Sequence, residues 1–207
     1  DSGYSRKVLD PKGRVIGEVG EGSRKDLRNA VEAARAAAGW ANQTAHNRAQ
    51  VVYYIAENLA ARAEETAARL ARMTGDAAGA KAEVDAAVER LFSCAAWADK
   101  YDGAVHHTPL RNVTLAMPEA VGTIGIVCPD EAPLLAFVTL VASAMAMGNT
   151  VIAVPSERHP LAALIGDVLV RKASAASPLD TEGKPHGDSK HVQGASHIHL
   201  LNHPQTY

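Results

Sequence analysis

A chain of 207 residues is long enough for one domain, or about one and a half at roughly 100–200 residues per domain. With 47% hydrophobic and 21% charged residues and a formal net charge of −2, it has the balance of a soluble globular protein and gives no reason to invoke nucleic acid or an anionic membrane as partner. Aromatics are scarce at 4% and Ala is abundant, which favours helix over sheet. The two cysteines, Cys94 and Cys128, form neither a Cys-x-x-Cys pair nor a disulfide framework, so a reducing compartment, the cytoplasm, is expected. The chain opens Asp1-Ser2-Gly3 without Met, which suggests that it was cut from something longer, and its first residues are charged and Gly-rich rather than signal-like.

The stretch from Val8 to Val19 predicts two short strands around the turn Asp10-Pro11-Lys12-Gly13. Ser23 followed three residues later by Asp26 predicts a capping box. The helix it starts carries Leu27, Val31 and Ala34 at helical spacing and is expected to end at Gly39. Thr44 can cap a second helix with Val51, Val52, Ile55 and Leu59 on one stripe. A third helix is expected from Ala63 to Thr74, stopped by Gly75. A long fourth, from about Gly79 to Lys100, places Val84, Val88, Leu91, Phe92 and Ala95 on its apolar face. These stripes are read as packing faces.

After Gly103 the pattern changes. A β-hairpin arm is expected from about Gly103 to Pro118, with Val113, Leu115 and Met117 alternating as in a half-buried strand. Gly122 to Cys128 is nearly all apolar, as a central parallel strand would be, and Pro129 ends it. Leu134 to Met147 is apolar all round, which predicts a buried helix. It belongs to an uncharged run, Ala132 to Ser156, but Pro133 and Gly148-Asn149 leave only about 14 apolar residues, short of the roughly 20 that a membrane span needs. Thr150 to Val154 reads as a second apolar strand and Pro160 to Val170 as a helix. Strand, helix, strand, helix predicts a βαβ unit in a parallel, nucleotide-binding type of sheet. From Arg171 to Tyr207, Ser, Gly, Pro, His, Lys and Asp dominate without period, so a disordered tail is expected.

Several of these segments together resemble aldehyde dehydrogenases. That family carries a strand ending in Pro-Trp-Asn-Phe-Pro, a buried helix, Gly-Asn-Thr-Val, and Lys-Pro-Ser-Glu. This chain carries Gly125-Ile-Val-Cys-Pro-Asp-Glu-Ala-Pro133, the buried helix, Gly148-Asn-Thr-Val151, and Val154-Pro-Ser-Glu157 followed by Pro160-Leu161. Ala41 to Arg48, Ala56-Glu57-Asn58-Leu59, Met73-Thr74-Gly75 and Trp97-Ala98-Asp99-Lys100 match as well. The resemblance covers about residues 8 to 167. Asp130-Glu131-Ala132 and the opening Tyr4-Ser-Arg-Lys-Val-Leu-Asp-Pro bring it closest to the second, degenerate domain of the tandem-domain class-16 aldehyde dehydrogenases. It implies an α/β fold: a helical N-terminal layer, a β-hairpin arm and an incomplete Rossmann-like parallel sheet. A partial domain over residues 1–170 and an unrelated tail over residues 171–207 are expected.

The departures from the family pattern carry the functional reading. The resemblance implies that the Asn of Pro-Trp-Asn donates its amide N–H to an oxyanion; here that position is Glu131, and an ionised carboxylate has no donor. Losing one such donor typically costs about 2.7–4 kcal/mol of transition-state stabilisation. The Lys implied to hold the adenosine ribose or its phosphate is Val154. Pro129, Ser156 and Glu157 remain as vestigial cofactor contacts. Glu157 could still accept from ribose hydroxyls, or be a solvated residue near a helix N-terminus. The Gly-Ser-Thr-x-x-Gly turn, the Glu-Leu-Gly-Gly base motif and the Gln-x-Cys nucleophile motif are absent from the 207 residues. Neither Cys94, mid-helix, nor Cys128, at a strand end, stands in for that nucleophile by motif, and both read as structural thiols.

Gly17 to Ser23 is Gly-rich but lacks the strand-to-helix setting of a dinucleotide fingerprint. Asn112-Val-Thr114 is a glycosylation sequon, relevant only on secretion. His186, His191, His197, His199 and His203 crowd the tail without a carboxylate array, so no metal site is expected. The expectation is therefore a truncated, non-catalytic pseudoenzyme domain that works through protein partners or another copy of itself, with no cofactor bound well, no nucleic acid and no membrane span. The alternative is the coenzyme-side part of an NAD(P)-dependent aldehyde dehydrogenase. A truncated product without a stable role is a third possibility.

Overall fold

The structure, a computed structural model, describes residues 4–163 and 198–200. It opens with an antiparallel hairpin, β1 (Ser5–Leu9) and β2 (Val15–Gly20). The turn is held by Asp10, whose carboxylate accepts from the backbone N–H groups of Lys12 at 2.9 Å and Arg14 at 2.8 Å. The capping box forms as expected: the Ser23 side chain accepts from Asp26 N, and the Asp26 carboxylate accepts from Ser23 N. It starts α1 (Arg24–Ala36). That helix stops short of Gly39, because residues Ala38–Asn42 tighten into a 3-10 turn that drives Trp40 into the core.

Thr44 caps α2 (Ala45–Ala61), accepting from Asn47 N at 3.1 Å. Then come α3 (Ala63–Thr74) and α4 (Ala77–Ala98). Gly75 ends α3 at φ +82°, and a Cβ there would lie 2.9 Å from Pro11 Cγ. The fourth helix begins two residues earlier than its apolar pattern suggested, because Asp76 is the side chain that caps it. Its Val84, Leu91 and Ala95 are buried, while Phe92 sits at the edge of the face, its ring 6.1 Å from that of Tyr53.

The arm is an antiparallel pair, β3 (Ala104–His106) and β4 (Thr114–Ala116). The expected half-burial does not hold. Both strands are exposed along their length, and Val113, Leu115 and Met117 retain 74%, 59% and 66% of their accessible surface. Alternation marks a strand with two unlike faces, but it does not supply the layer that covers one of them.

The parallel sheet follows: β5 (Thr123–Val127), α5 (Pro133–Ala146) and β6 (Thr150–Val154) form the expected βαβ unit. Ile198–Leu200 add β7 on the far side of β6, also parallel. No third strand was expected from the sequence here: three residues are too few for a period to show, and a strand can be recruited by backbone pairing alone. The rest of the anticipated tail, and the boundary at residue 170, lie outside the described residues. So does most of the helix expected from Pro160, of which 161–163 are described. In the order β5-β6-β7, the apolar β5, expected to be central, is an edge strand among the described residues.

The main core lies between α5, the helices α2 and α4, and one face of the sheet, through Phe137, Leu134, Val52, Leu59, Val84 and Val151. On the other face Ile152 packs against Ala30 and Ala34 of α1. Helix α5 has no side-chain cap of its own, and its N-cap, Ala132, is in the left-handed region at φ 44°. Its end groups are satisfied from elsewhere. Glu83 of α4 accepts from the N–H groups of Leu134 at 2.7 Å and Leu135 at 3.1 Å. At the C-terminal end, Arg48 Nε donates to Ala146 O at 3.0 Å and Trp40 Nε1 to Met145 O at 2.9 Å. An anion at the N-terminus and a cation at the C-terminus also suit the helix dipole. No described helix is long and apolar enough to cross a membrane.

Candidate functional site: the crevice at the ends of β5 and β6

Parallel α/β sheets bind ligands outside the carboxyl ends of their strands. Here that region lies between the loop after β5 and the loop after β6. Cys128 N donates to Val154 O at 2.9 Å, so the two strands leave the sheet in register. Pro129 and Glu131 are exposed, Val154 is half-buried, Ser156 is buried and Glu157 is exposed. The crevice therefore gathers all five positions singled out from the sequence.

A carboxylate that was not singled out organises it. Ser156 Oγ donates to Asp130 Oδ1 at 2.7 Å, and Arg158 N donates to the same oxygen at 3.2 Å. His159 N in turn donates to Ser156 Oγ at 2.9 Å, and its ring Nδ1 lies 3.4 Å from Asp130 O. The Ser156 hydroxyl, and after it the Arg158 backbone N–H, hold the Asp130 carboxyl below the usual carboxylate range against the opposing effect of burial. On the outer side, Arg6 of β1 donates to the carbonyl of Glu157. The N-terminal hairpin thus straps the loop after β6, and Leu161 lies against Gly17 of β2.

The arrangement is a closed hydrogen-bonded seam between two loops. Ser156 is 2% exposed, and its oxygen both donates and accepts within the chain. Glu131 stands beside the seam as a solvent-facing carboxylate directly ahead of the left-handed Ala132. Burial pushes both thiols up, Cys128 at the strand end and Cys94 on α4, where nearby Arg90 opposes it only in part. Such thiols are poor nucleophiles. Among the described residues no three His, Cys, Asp or Glu side chains gather as a metal site.

Asp130 and Glu83 escaped the sequence reading for a shared reason. Their partners lie 26 and 51 residues away, and no local spacing signals such a contact. The proximity of two strand ends was the one available hint for Asp130.

Comparison with known proteins places these features. The profile of the aldehyde dehydrogenase family matches residues 1–204, running past the point near residue 167 where the resemblance read from the sequence ended. Aldehyde dehydrogenase 1A1 of Equus caballus is 33% identical over 163 residues, 75% of this chain and 32% of the relative. The mitochondrial benzaldehyde dehydrogenase of Antirrhinum majus is 33% identical over 178 residues, 83% of this chain and 33% of the relative. Among solved structures, betaine aldehyde dehydrogenase of Staphylococcus aureus in complex with NAD+ superposes with a TM-score of 0.81 at 27% identity, over 95% of this chain and 37% of that one. The chain thus spans about a third of the length of the relatives it matches.

Proposed function

The chain belongs to the aldehyde dehydrogenase family, and from that premise we propose that it is a non-catalytic domain of that type which works through protein contacts. The observation that carries this reading is the seam across the crevice. Asp130 engages the Ser156 hydroxyl, one of the positions read as a vestigial cofactor contact, and the Arg158 N–H. The neighbouring positions add nothing in compensation. Val154 offers no charge or donor for a ribose or phosphate, and Glu131 presents a negative charge where an oxyanion would need a donor. The residues present do not fit a dinucleotide, so no catalytic step is routed through one.

Glu157 favours the second reading, in which the chain is the coenzyme-side part of an NAD(P)-dependent enzyme that oxidises aldehydes to carboxylic acids. It is exposed beside the end of β6 and remains able to accept from ribose hydroxyls. The degenerate tandem-domain relationship rests on Asp130-Glu131-Ala132 and the opening residues, and it agrees with the first reading.

Calorimetric titration of the purified chain with NAD+ and NADP+ separates the two. The expected result is no saturable heat, together with no aldehyde-dependent appearance of NADH. A site tighter than about 100 μM, equivalent to about 5.5 kcal/mol, would overturn the first reading in favour of the second.

A further inference from the structure

The loop after β6 is fastened from two sides. Between the buried Pro155 and Pro160 it has only Ser156, Glu157, Arg158 and His159. Each proline fixes its own φ, so the residues between them have little slack. On the inner side the Ser156 hydroxyl and Arg158 N both donate to a single oxygen, Asp130 Oδ1. On the outer side Arg6 donates to the carbonyl of Glu157, the residue between those two donors. The hairpin that carries Arg6 is itself seated firmly. Val8 and Val19 are buried, and Ile16 packs against the main core. Pro11, in the turn, lies over Gly75, where a Cβ would come within 2.9 Å of its ring. At Gly17 a Cβ would lie 3.0 Å from Leu161 Cδ1, so the side chain just after the loop rests on the backbone of β2.

We propose that Arg6 is a positioning residue of the crevice: by holding the Glu157 carbonyl it keeps Ser156 and Arg158 on Asp130, and the N-terminal hairpin is the strap whose release opens the seam. The inference deepens the reading of a closed, non-catalytic crevice and rests on it. Two donors reach one carboxylate oxygen only while the backbone between them keeps one conformation. The Glu157 peptide is that backbone, and a charged donor grips its oxygen. Hydrogen bonds from ionised donors are stronger than neutral ones, so this grip is the firmest of the fastenings on the outer side. Freed there, the peptide can rotate, and Ser156 and Arg158 lose their common acceptor. His159 N, which donates to Ser156 Oγ, goes with them. Opening of so short a segment is local, because the bonds that hold it are few and lie on consecutive residues. The core around α5 need not take part.

Amide hydrogen exchange on the full chain, followed by NMR, is the test, because the Arg158 and His159 amides are themselves donors in the seam. Both should be protected in the wild type. Arg6→Ala should speed their exchange by about tenfold or more, while Val138 and Val141 in the buried α5 keep their wild-type rates. Arg6→Lys, which keeps a charged donor on a long stem, should recover part of the protection. Unprotected Arg158 and His159 amides in the wild type overturn the proposal, and so do rates at both that ignore Arg6→Ala. An equal loss at Val138 and Val141 overturns it as well, since a general loss of stability would then suffice. So does an Arg6→Lys variant that exchanges as fast as Arg6→Ala. The measurement needs no nucleotide. Failure of the strap is read from exchange and failure of the non-catalytic reading from the titration, so the two remain distinguishable.

Discussion

Helix α5 and the hairpin arm β3–β4 are both rich in apolar residues, yet they meet opposite fates. Nine residues of α5 are buried, including Phe137 at 2% exposure. Every residue of the two hairpin strands is exposed. Apolar composition states a need for burial, and the need is met only where a second layer is present. For α5 that layer is double, helices on one side and the sheet on the other. The helix also receives its caps from α4 at one end and from α2 and the 3-10 turn at the other. An isolated two-stranded hairpin is marginally stable in water, and among the described residues the arm has only its own cross-strand pairing.

The largest expected effect is on the core side of this contrast. Phe137→Ala should cost about 3–5 kcal/mol by leaving a cavity between layers. Leu115→Ala on the arm should stay within about 0.5 kcal/mol of wild type. Denaturant titrations of the two variants check the pair, and comparable losses would mean that the arm is packed in solution. A smaller effect is expected at the borrowed cap. Glu83→Ala leaves the N–H groups of Leu134 and Leu135 without their acceptor, and should cost about 1–3 kcal/mol. Glu83→Gln keeps a carbonyl acceptor and should recover part of the loss, whereas melts that coincide for wild type and both variants would dismiss the cap.

The smallest effect concerns pH at the crevice. The folded Asp130 carboxyl lies below its ordinary range, first through Ser156. A depressed carboxylate stabilises the folded state in full above the unfolded value of about 3.9. That contribution is lost as pH falls through the lower folded value. Ser156→Ala should therefore flatten the dependence of stability on pH in the acid limb below about pH 4, with little change in its shape near neutrality. An acid limb identical to that of wild type would show that the seam does not hold the carboxylate.

The elements that the sequence disclosed were those written in local chemistry. Ser23 and Asp26, Thr44, and Gly75 each mark a helix end through groups a few residues apart, and each acts as expected. The βαβ unit was legible because Gly122 to Val154 alternates turn residues with long apolar runs. The five crevice positions were legible through a resemblance in motif order. Their setting was not, because Asp130 meets Ser156 only once two strands lie side by side. Likewise Val113, Leu115 and Met117 alternate as a half-buried strand would, and the missing cover cannot be read from them.

The sequence by itself determined the helix starts at Ser23 and Thr44, the helix stop at Gly75, the family, and which side chains stand at Glu131 and Val154. These follow from residue chemistry within a turn or a strand, where the interacting groups are neighbours along the chain. The tertiary structure alone decided that Glu83 and Arg48 cap a helix they do not belong to, that Asp130 closes the crevice, and that the apolar β5 lies at an edge among the described residues. Those are contacts between groups far apart in sequence, and their geometry exists only after the layers have packed.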